Sequence, residues 1–396
     1  MTPKKKIIRF LIIFLFLIIY FLIAARPVPR EMVLTPKWIS SLESDSPEYI
    51  GKISGSNNPA VASGELLPFA LGSRFGYIGA SGQFAVNRNK TNDVYLGAKM
   101  WSEYNNAPSS VEIKNTALET IVNIENVNGY PVLLDNRIFI FGRDQNELSE
   151  IDPAGDVMWT YQYGAPVTCI DAAAGLVLTG SLDGVIEILD TSGRRMFYFT
   201  PGGSRYEVIL GCAIAPNGSR VAVICGIDAQ RFMLLERLGN TGSEYRVVHH
   251  EYLKTGFRRP VHILFVDEDR RVVYEREDGI GLYDIKSRRG IVIPLDDKIT
   301  AIDGSGDQGM LFLITSRAPR RNELIGIKIP EGKVFSGFAD ARDLIFFRAP
   351  FISDDVFLGR IPAAGSRING SAVESPRSTL VVGGGNVLIS FDMERK

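Results

Sequence analysis

One short pattern occurs twice in succession between residues 146 and 203. The first copy contains Asp152, Gly155 and Trp159, and the second contains Asp190, Gly193 and Phe197. A shift of 38 residues places aspartate on aspartate, glycine on glycine and aromatic on aromatic. In each copy the carboxylate can accept backbone N–H groups of a tight turn and the glycine supplies a positive φ, which predicts strand, turn and strand. Such a hairpin cannot bury both of its faces alone, so the period indicates stacked repeats that share a core.

The residues around the two copies resemble a known repeat. The pattern Asp-x-x-Gly-x-x-x-Trp follows an apolar strand, and it is followed by Gly164-Ala-Pro166 and by Ser181-Leu-Asp183-Gly184. This order resembles the quinoprotein-type (PQQ-like) β-propeller repeat, a WD40-like architecture, and a degraded copy follows at residues 278–284. The resemblance implies a propeller and, by itself, no chemistry.

From about residue 66 the chain is a series of short strands that alternate with period two, and no stretch after residue 26 keeps a helical period for three turns. The strands group into seven units, at residues 75–101, 120–164, 167–203, 206–252, 261–295, 299–338 and 344–391, the last interrupted by a polar excursion at 362–377. About 47 residues per unit is a normal blade size. The sequence therefore predicts an all-β fold, a β-propeller of seven four-stranded blades over residues 66–396. Because an open blade leaves an unpaired edge, we expect a segment from residues 31–65 to close the ring.

The N-terminus predicts a membrane anchor. Residues 1–6 contain three lysines, and residues 7–25 are apolar except for Arg9. At about 1.5 Å per residue this run covers about 28 Å, close to the bilayer core of about 30 Å. We therefore expect a cytoplasmic tail at 1–6, a transmembrane helix at 7–25 and a linker at 26–65. The alternative is a signal peptide cleaved after Ala25. Either way the propeller would lie on the periplasmic or extracytoplasmic side, and the anchored form would be a single-pass inner-membrane protein.

Composition limits the partners and the chemistry. The 396 residues carry a net charge of −1 and are 45% hydrophobic, which gives no overall basic signal for nucleic acid. The three cysteines lie in apolar runs as small buried side chains, although Cys212 and Cys225 flank one hairpin turn and could form a disulfide.

No catalytic, cofactor-binding or metal-binding set is predicted. Quinone-cofactor dehydrogenases of the resembled family carry adjacent cysteines, which this chain lacks. The segment 303–309 has Gln308 where a calcium loop needs glycine, so it is interpreted as a β-turn. His249 and His250 are adjacent on a strand and point to opposite faces, which argues against a zinc site.

The one unusual feature of the residue distribution is that many arginines occur in adjacent pairs. Strand order predicts that one propeller face carries Arg194, Arg195, Arg270, Arg271, Arg288 and Arg289, and that the opposite face carries Arg258, Arg259, Arg320 and Arg321. These residues are either solvated turn arginines or a basic docking face for an acidic partner or for anionic headgroups.

Two functions of different classes fit these features. The first is a membrane-tethered, non-catalytic scaffold for protein–protein interaction, whose partners would be envelope or membrane-complex proteins. By resemblance, its analogue is the propeller lipoprotein of the outer-membrane β-barrel assembly machinery. The alternative is an enzyme or small-ligand sensor with a pocket at the central channel.

Overall fold

The structure, a computed structural model, describes residues 12–20, 32–43, 48–49, 66–79, 81–106, 108–239, 244–254, 256–267, 269–303, 309–318, 321–340, 346–351 and 378–395. Outside a helix over residues 12–20, the regular structure of these ranges is β-strand. The described strands form eight antiparallel sheets, numbered here as blades 1 to 8 in chain order.

The N-terminal strands are β1 (Met32–Ser41) and β2 (Glu48–Tyr49), which belong to blade 8. Blade 1 has three described strands, β3 (Leu67–Leu71), β4 (Arg74–Ile78) and β5 (Phe84–Asn89). Blade 2 contains β6 (Asp93–Leu96), β7 (Met100–Tyr104), β8 (Ser110–Asn115) and β9 (Thr120–Glu125). Blade 3 contains β10 (Gly129–Leu134), β11 (Arg137–Gly142), β12 (Glu147–Ile151) and β13 (Val157–Gln162).

The next four blades each have four strands in sequence order. Blade 4 contains β14 (Val167–Ala173), β15 (Leu176–Ser181), β16 (Ile186–Leu189) and β17 (Arg195–Phe199). Blade 5 contains β18 (Ile209–Ile214), β19 (Arg220–Cys225), β20 (Arg231–Arg237) and β21 (Tyr245–Tyr252). Blade 6 contains β22 (Ile263–Val266), β23 (Arg271–Arg276), β24 (Gly279–Asp284) and β25 (Arg289–Pro294). Blade 7 contains β26 (Lys298–Asp303), β27 (Met310–Ala318), β28 (Arg321–Lys328) and β29 (Gly332–Asp340).

Blade 8 combines both ends of the chain. It contains β30 (Phe346–Phe351), β31 (Ser378–Gly384) and β32 (Val387–Arg395), and its strand order is β30-β31-β32-β1-β2. β1 pairs antiparallel with β32 from Met32 opposite Arg395 to Ser41 opposite Val387. The fourth strand of the last blade is therefore supplied by the N-terminal segment, and β2 adds a short fifth strand outside it.

The apolar core is divided among the interfaces between neighbouring blades. Eight buried clusters occur in the described residues, and each joins two consecutive blades. The cluster around Trp38, Phe69 and Leu388 joins blade 8 to blade 1 and so completes the circle. Both faces of the blades are consequently apolar, which explains the near-continuous hydrophobic runs of the inner strands.

The predicted β-propeller is confirmed, but the predicted number of seven blades is wrong, because the described residues form eight. The error lies before residue 125. The unit predicted at 75–101 joins strands of blades 1 and 2, and the strand at Thr120–Glu125 ends blade 2 instead of opening the next unit. Only residues 90–92 separate β5 from β6, so the boundary between two blades is as short as a hairpin loop.

The structure also corrects the predicted N-terminal anchor. Within the expected span at 7–25, the structure describes a helix over residues 12–20. Among the described residues, no helix combines the length and the apolar character that a membrane crossing requires. These findings overturn the transmembrane helix and the single-pass inner-membrane localisation derived from it. Residues 1–11 and 21–31 lie outside the described residues.

Candidate functional site

The candidate site is the propeller face that carries the paired arginines. Successive antiparallel strands reverse direction, so the loops between first and second strands and those between third and fourth strands share one face. We call this the turn face. The opposite face, which carries the second-to-third loops and the links between blades, is called the connection face.

All six arginines predicted to bind a partner lie at turn-face loops. In each pair the first arginine lies in the loop and the second opens the next strand. The pairs are Arg194 and Arg195 at β17, Arg270 and Arg271 at β23, and Arg288 and Arg289 at β25. Blade 5 separates the first pair from the other two pairs, so the six do not form one contiguous cluster. Of the pairs predicted on the other face, Arg258 and Arg259 lie in the link between blades 5 and 6, and Arg321 opens β28. Arg320 lies outside the described residues.

The arginines of blade 4 are bound by acidic side chains of the same blade. The Arg194 guanidinium donates to Asp190 Oδ2 through Nη2 at 2.9 Å and through Nε at 3.1 Å. Burial raises the pKa of Asp190, but hydrogen bonds from Ser192 and Arg194 outweigh it and lower that pKa to about 2. Arg195 donates to Glu187 at 3.2 Å and lies over the ring of Tyr198. Blade 4 therefore offers little uncompensated positive charge.

The first pair of blade 6 is neutralised in a similar way. Arg270 Nη2 donates to Asp267 Oδ1 at 2.6 Å, and Arg271 Nη1 donates to Asp267 Oδ2. Arg271 also lies 3.2 Å from Asp284 Oδ2 through its Nε. Backbone and side-chain hydrogen bonds from Ser287, with the charge of Arg271, hold the pKa of Asp284 below its usual value. These contacts fix the loop and reduce its charge.

The second pair of blade 6 differs from the other two. Arg288 has a positive φ of 55° and is exposed, as is Arg289. Within the part of the chain that the structure describes, neither forms an ion pair. Their positive charge is therefore available to a partner.

β25 continues directly from this pair and is exposed along most of its length. Five of its six residues are exposed, including the apolar side chains of Ile291 and Val292 at 41% and 43%. Ile293 alone is buried, where it packs into the interface with blade 7. Sequence analysis did not select this strand as a binding surface, because the alternation of apolar residues does not reveal which of them stay exposed.

The connection face carries a second group of side chains that sequence analysis did not select, in which Arg205, Tyr206 and Tyr252 are exposed and Arg231 is buried. Arg231 donates to the carbonyl oxygens of Pro201 and Gly202, and its guanidinium lies 5.5 Å from the centre of the exposed Tyr252 ring. Arg205 lies over the exposed Tyr206 ring at the same distance. The adjacency of arginine and tyrosine at 205–206 was the one available sequence signal.

Arg259, on the same face, has a structural role. It binds the two carboxylate oxygens of Glu275 at 2.5 and 3.1 Å, and Glu275 is 1% exposed. This bidentate contact joins the link that precedes blade 6 to β23 within that blade.

A polar cavity lies away from the arginine pairs. It has a volume of about 470 Å³ and lies between blades 1 and 2 on the connection face. Its lining consists of Gly72, Ser73, Lys90, Thr91, Asn92, Asp93, Asn105 and Asn106. Loops of blades 1 and 2 form this cavity, whereas the ligand-binding alternative derived from the sequence places its pocket at the central channel.

The described residues contain no group of three histidine, cysteine or acidic side chains arranged to hold a metal ion. All three cysteines are free thiols, so Cys212 and Cys225 do not form the disulfide left open by the sequence. Cys225 Sγ instead lies 3.6 Å from Met233 Sδ. A hydrogen bond of the Cys212 thiol with Cys169 of the neighbouring blade, together with burial, raises the pKa of Cys212.

Known proteins of similar sequence and structure agree with the fold. An uncharacterised protein of Treponema pallidum (strain Nichols) is 28% identical over 360 residues, which cover 89% of this chain and 92% of the relative. The structure of BamB from Moraxella catarrhalis superposes with a TM-score of 0.52 at 12% identity, over 91% of this chain and all of BamB. Saccharomyces cerevisiae Sqt1 gives a TM-score of 0.53 at 13% identity, over 81% of this chain and 91% of Sqt1.

A computationally designed protein, Ika8, also superposes, with a TM-score of 0.53 at 11% identity over 83% of this chain and 97% of the design. At these identities the structural similarities concern the fold alone. A family model described as beta-propeller protein matches residues 1–360. Together with the closed ring of eight blades, this match shows that the chain belongs to the beta-propeller protein family.

Proposed function

We propose that the protein is a non-catalytic scaffold that binds an acidic partner protein through the turn face of blades 4 to 6. One observation carries this proposal: three arginine pairs occupy loops of this face, and the pair Arg288 and Arg289 has no ion pair with a described residue. An acidic segment could approach this pair without first separating an existing ion pair. The partner class that fits is a protein component of a larger complex.

A test should reverse charge only where the fold does not depend on it. Arg271 contacts both Asp267 and Asp284, so glutamate there would place three carboxylates together and endanger the loop. Arg194 is 82% exposed, and Arg288 and Arg289 are exposed. Arg194 itself binds Asp190, so alanine there removes the positive charge without placing a second carboxylate beside Asp190. The triple variant Arg194→Ala, Arg288→Glu, Arg289→Glu is therefore the better choice.

We expect the tagged wild-type chain to retain proteins with acidic segments from an extract of its own cells. It should release them as the salt concentration rises, because exposed charges are screened beyond about 8 Å at physiological ionic strength. The triple variant should retain at least about tenfold less, a loss of about 1.4 kcal/mol of binding free energy. Quantitative mass spectrometry of the retained proteins measures this, with circular dichroism to check folding.

The matched control reverses two exposed arginines of the connection face, Arg205→Glu and Arg258→Glu. This control should retain the same proteins as the wild-type chain. Equal retention by the triple variant, or equal loss in the control, would show that the turn-face arginines do not select the partner.

Binding of a small hydrophilic ligand is the second candidate function. The cavity between blades 1 and 2 favours it, because hydroxyl, amide, lysine and carboxylate groups converge there. In that case the site would be this cavity and not the central channel.

A further inference from the structure

We propose that the outer edge of β25 binds an extended acidic segment of a partner protein, which adds a fifth strand to blade 6. This inference rests on the proposed scaffold function and names the form of its ligand. Three independent features of the strand carry it: an edge that no described strand pairs, apolar side chains exposed on both faces, and two arginines at one end without an ion pair to a described residue.

The unpaired edge is the first feature. β25 is the last strand in the order β22-β23-β24-β25, and no strand of the described ranges pairs with its outer side. An edge of this kind presents backbone N–H and C=O groups to an incoming strand. Blade 8 shows that the geometry of this propeller permits the addition, because β2 pairs outside the fourth strand of that blade, with Trp38 opposite Tyr49.

The exposed apolar side chains are the second feature. Neighbouring residues of a strand point to opposite faces of the sheet, so Ile291 and Val292 expose apolar surface on both faces of β25. The outer strand of blade 4 differs, since only two of the five residues of β17 are exposed. An added strand would cover Ile291 with one of its side chains and Val292 with the next, because cross-strand neighbours lie about 5 Å apart.

The charge at one end of the strand is the third feature. Arg288 and Arg289 precede Ile291 and have no acidic partner among the residues that the structure describes. A glutamate or aspartate at that end of the added strand could form ion pairs with both arginines. No carboxylate of the described residues is already bound to them. The ligand we infer therefore alternates β-branched or aliphatic residues and carries acidic residues at the end beside Arg288.

A random library of peptides of about twelve residues, long enough for one strand, supplies an unbiased probe. We select the library on the immobilised full chain and sequence the enriched peptides. We expect acidic residues at one end and alternating β-branched residues beyond it. In hydrogen exchange, an enriched peptide should slow those amides of residues 291–293 that point away from β24, because the others already face that strand. The affinity of the peptide should fall when salt is added.

Two variants separate the strand from the charge. Ile291→Lys with Val292→Lys removes the apolar cover and adds the edge lysines that discourage pairing. Arg288→Glu with Arg289→Glu removes the charge. Each double variant should lower the affinity for the enriched peptides by about tenfold or more. A loss of this size corresponds to two cross-strand contacts of ordinary strength. The matched control, Val157→Lys with Met158→Lys, changes two adjacent exposed apolar residues of β13 and should leave binding unchanged.

The outcomes distinguish this inference from the proposed function. If arginine reversal abolishes binding but the lysine pair on β25 does not, the face binds acidic segments without strand addition, and only the inference is wrong. If neither change matters, or if no acidic peptide is enriched, both the inference and the acidic-partner proposal are overturned. Protection of amides outside β25 would also contradict strand addition.

Discussion

At the scale of single residues, two tryptophans perform the same task at different blade interfaces. The ring of Trp159 lies against the turn of Gly193 in the next blade, and its indole N–H donates to the Thr191 carbonyl at 3.2 Å. Trp38 of β1 lies in the same way against the turn of Gly82 in blade 1. A glycine is required in both turns, because φ is positive and because an added Cβ would meet the ring at 2.5 and 2.7 Å.

The first prediction separates these two requirements. Gly193→Ala places a methyl group 2.5 Å from Trp159 Cδ2 at a φ of +73°. Gly239→Ala has nearly the same φ, +74°, but no atom of the described residues lies within 4 Å of its Cβ. Both variants suffer the left-handed backbone strain of about 1–2 kcal/mol. Gly193→Ala should lose about 1–3 kcal/mol more through overpacking. Urea unfolding of the two variants measures the difference, and equal losses would show that the indole ring moves aside without cost.

The second prediction concerns pH and His249. Its ring stacks on Tyr283 with centroids 4.1 Å apart, and its Nε2 lies 3.8 Å from Glu251 Oε2, too far for a hydrogen bond. Burial lowers the pKa of His249, and the charge of Glu251 only partly opposes this. The folded state therefore binds fewer protons than the unfolded state, so stability is fully present above about pH 6.5 and decreases as the pH falls below it.

His249→Phe keeps an aromatic ring on Tyr283 and removes the titrating group. We expect the variant to lose less free energy of unfolding than the wild-type chain between about pH 7 and pH 5. The neighbouring His250 is exposed, so His250→Phe is the matched control and should follow the wild-type curve. Denaturant unfolding at several pH values measures this. Parallel curves for all three proteins would show that His249 is not what makes stability depend on pH.

At the scale of strands and loops, the sequence predicted what local chemistry determines. The turns at Asp152–Gly155 and Asp190–Gly193 could be predicted because one carboxylate accepts several backbone N–H groups in each. The boundary between blades 1 and 2 could not, because the link at residues 90–92 has the length of a hairpin loop and no such turn marks it. The number of blades therefore follows only from which strands pair with each other, and this pairing involves residues that are distant in the sequence.

The candidate site shows the same division. Strand order was sufficient to predict that the six arginines share a face, because successive antiparallel strands alternate in direction. It could not predict that Asp267 binds both Arg270 and Arg271, or that Arg288 and Arg289 have no such partner among the described side chains, because ion pairs depend on side-chain positions across the blade. The exposure of Ile291 and Val292 depends in turn on how the neighbouring blades cover the two faces of β25.

At the scale of the whole molecule, the propeller is a closed circle of eight similar interfaces. Each interface holds one buried cluster, and the circle closes where β1, from the N-terminal segment, lies between β32 and β2. Trp38 is fully buried in the cluster that joins blades 8 and 1. Loss of this strand would expose the edge of β32 and part of the cluster, so its effect should reach both neighbouring blades.

The last prediction tests this closure with two truncations. A chain that begins at Met32 keeps β1 and should unfold at the same temperature as the full chain, whereas a chain that begins at Ser44 lacks the strand and should be strongly destabilised. Burial of Trp38 alone is worth about 3–5 kcal/mol by comparison with Trp→Ala substitutions in other cores. To distinguish loss of closure from a general failure of the shorter chain to fold, a peptide of residues 32–43 is added in trans. It should restore the melting transition, and the same peptide with Trp38→Ala should not. Equal stability of both truncated chains, or rescue by either peptide alike, would mean that β1 is not what closes the ring.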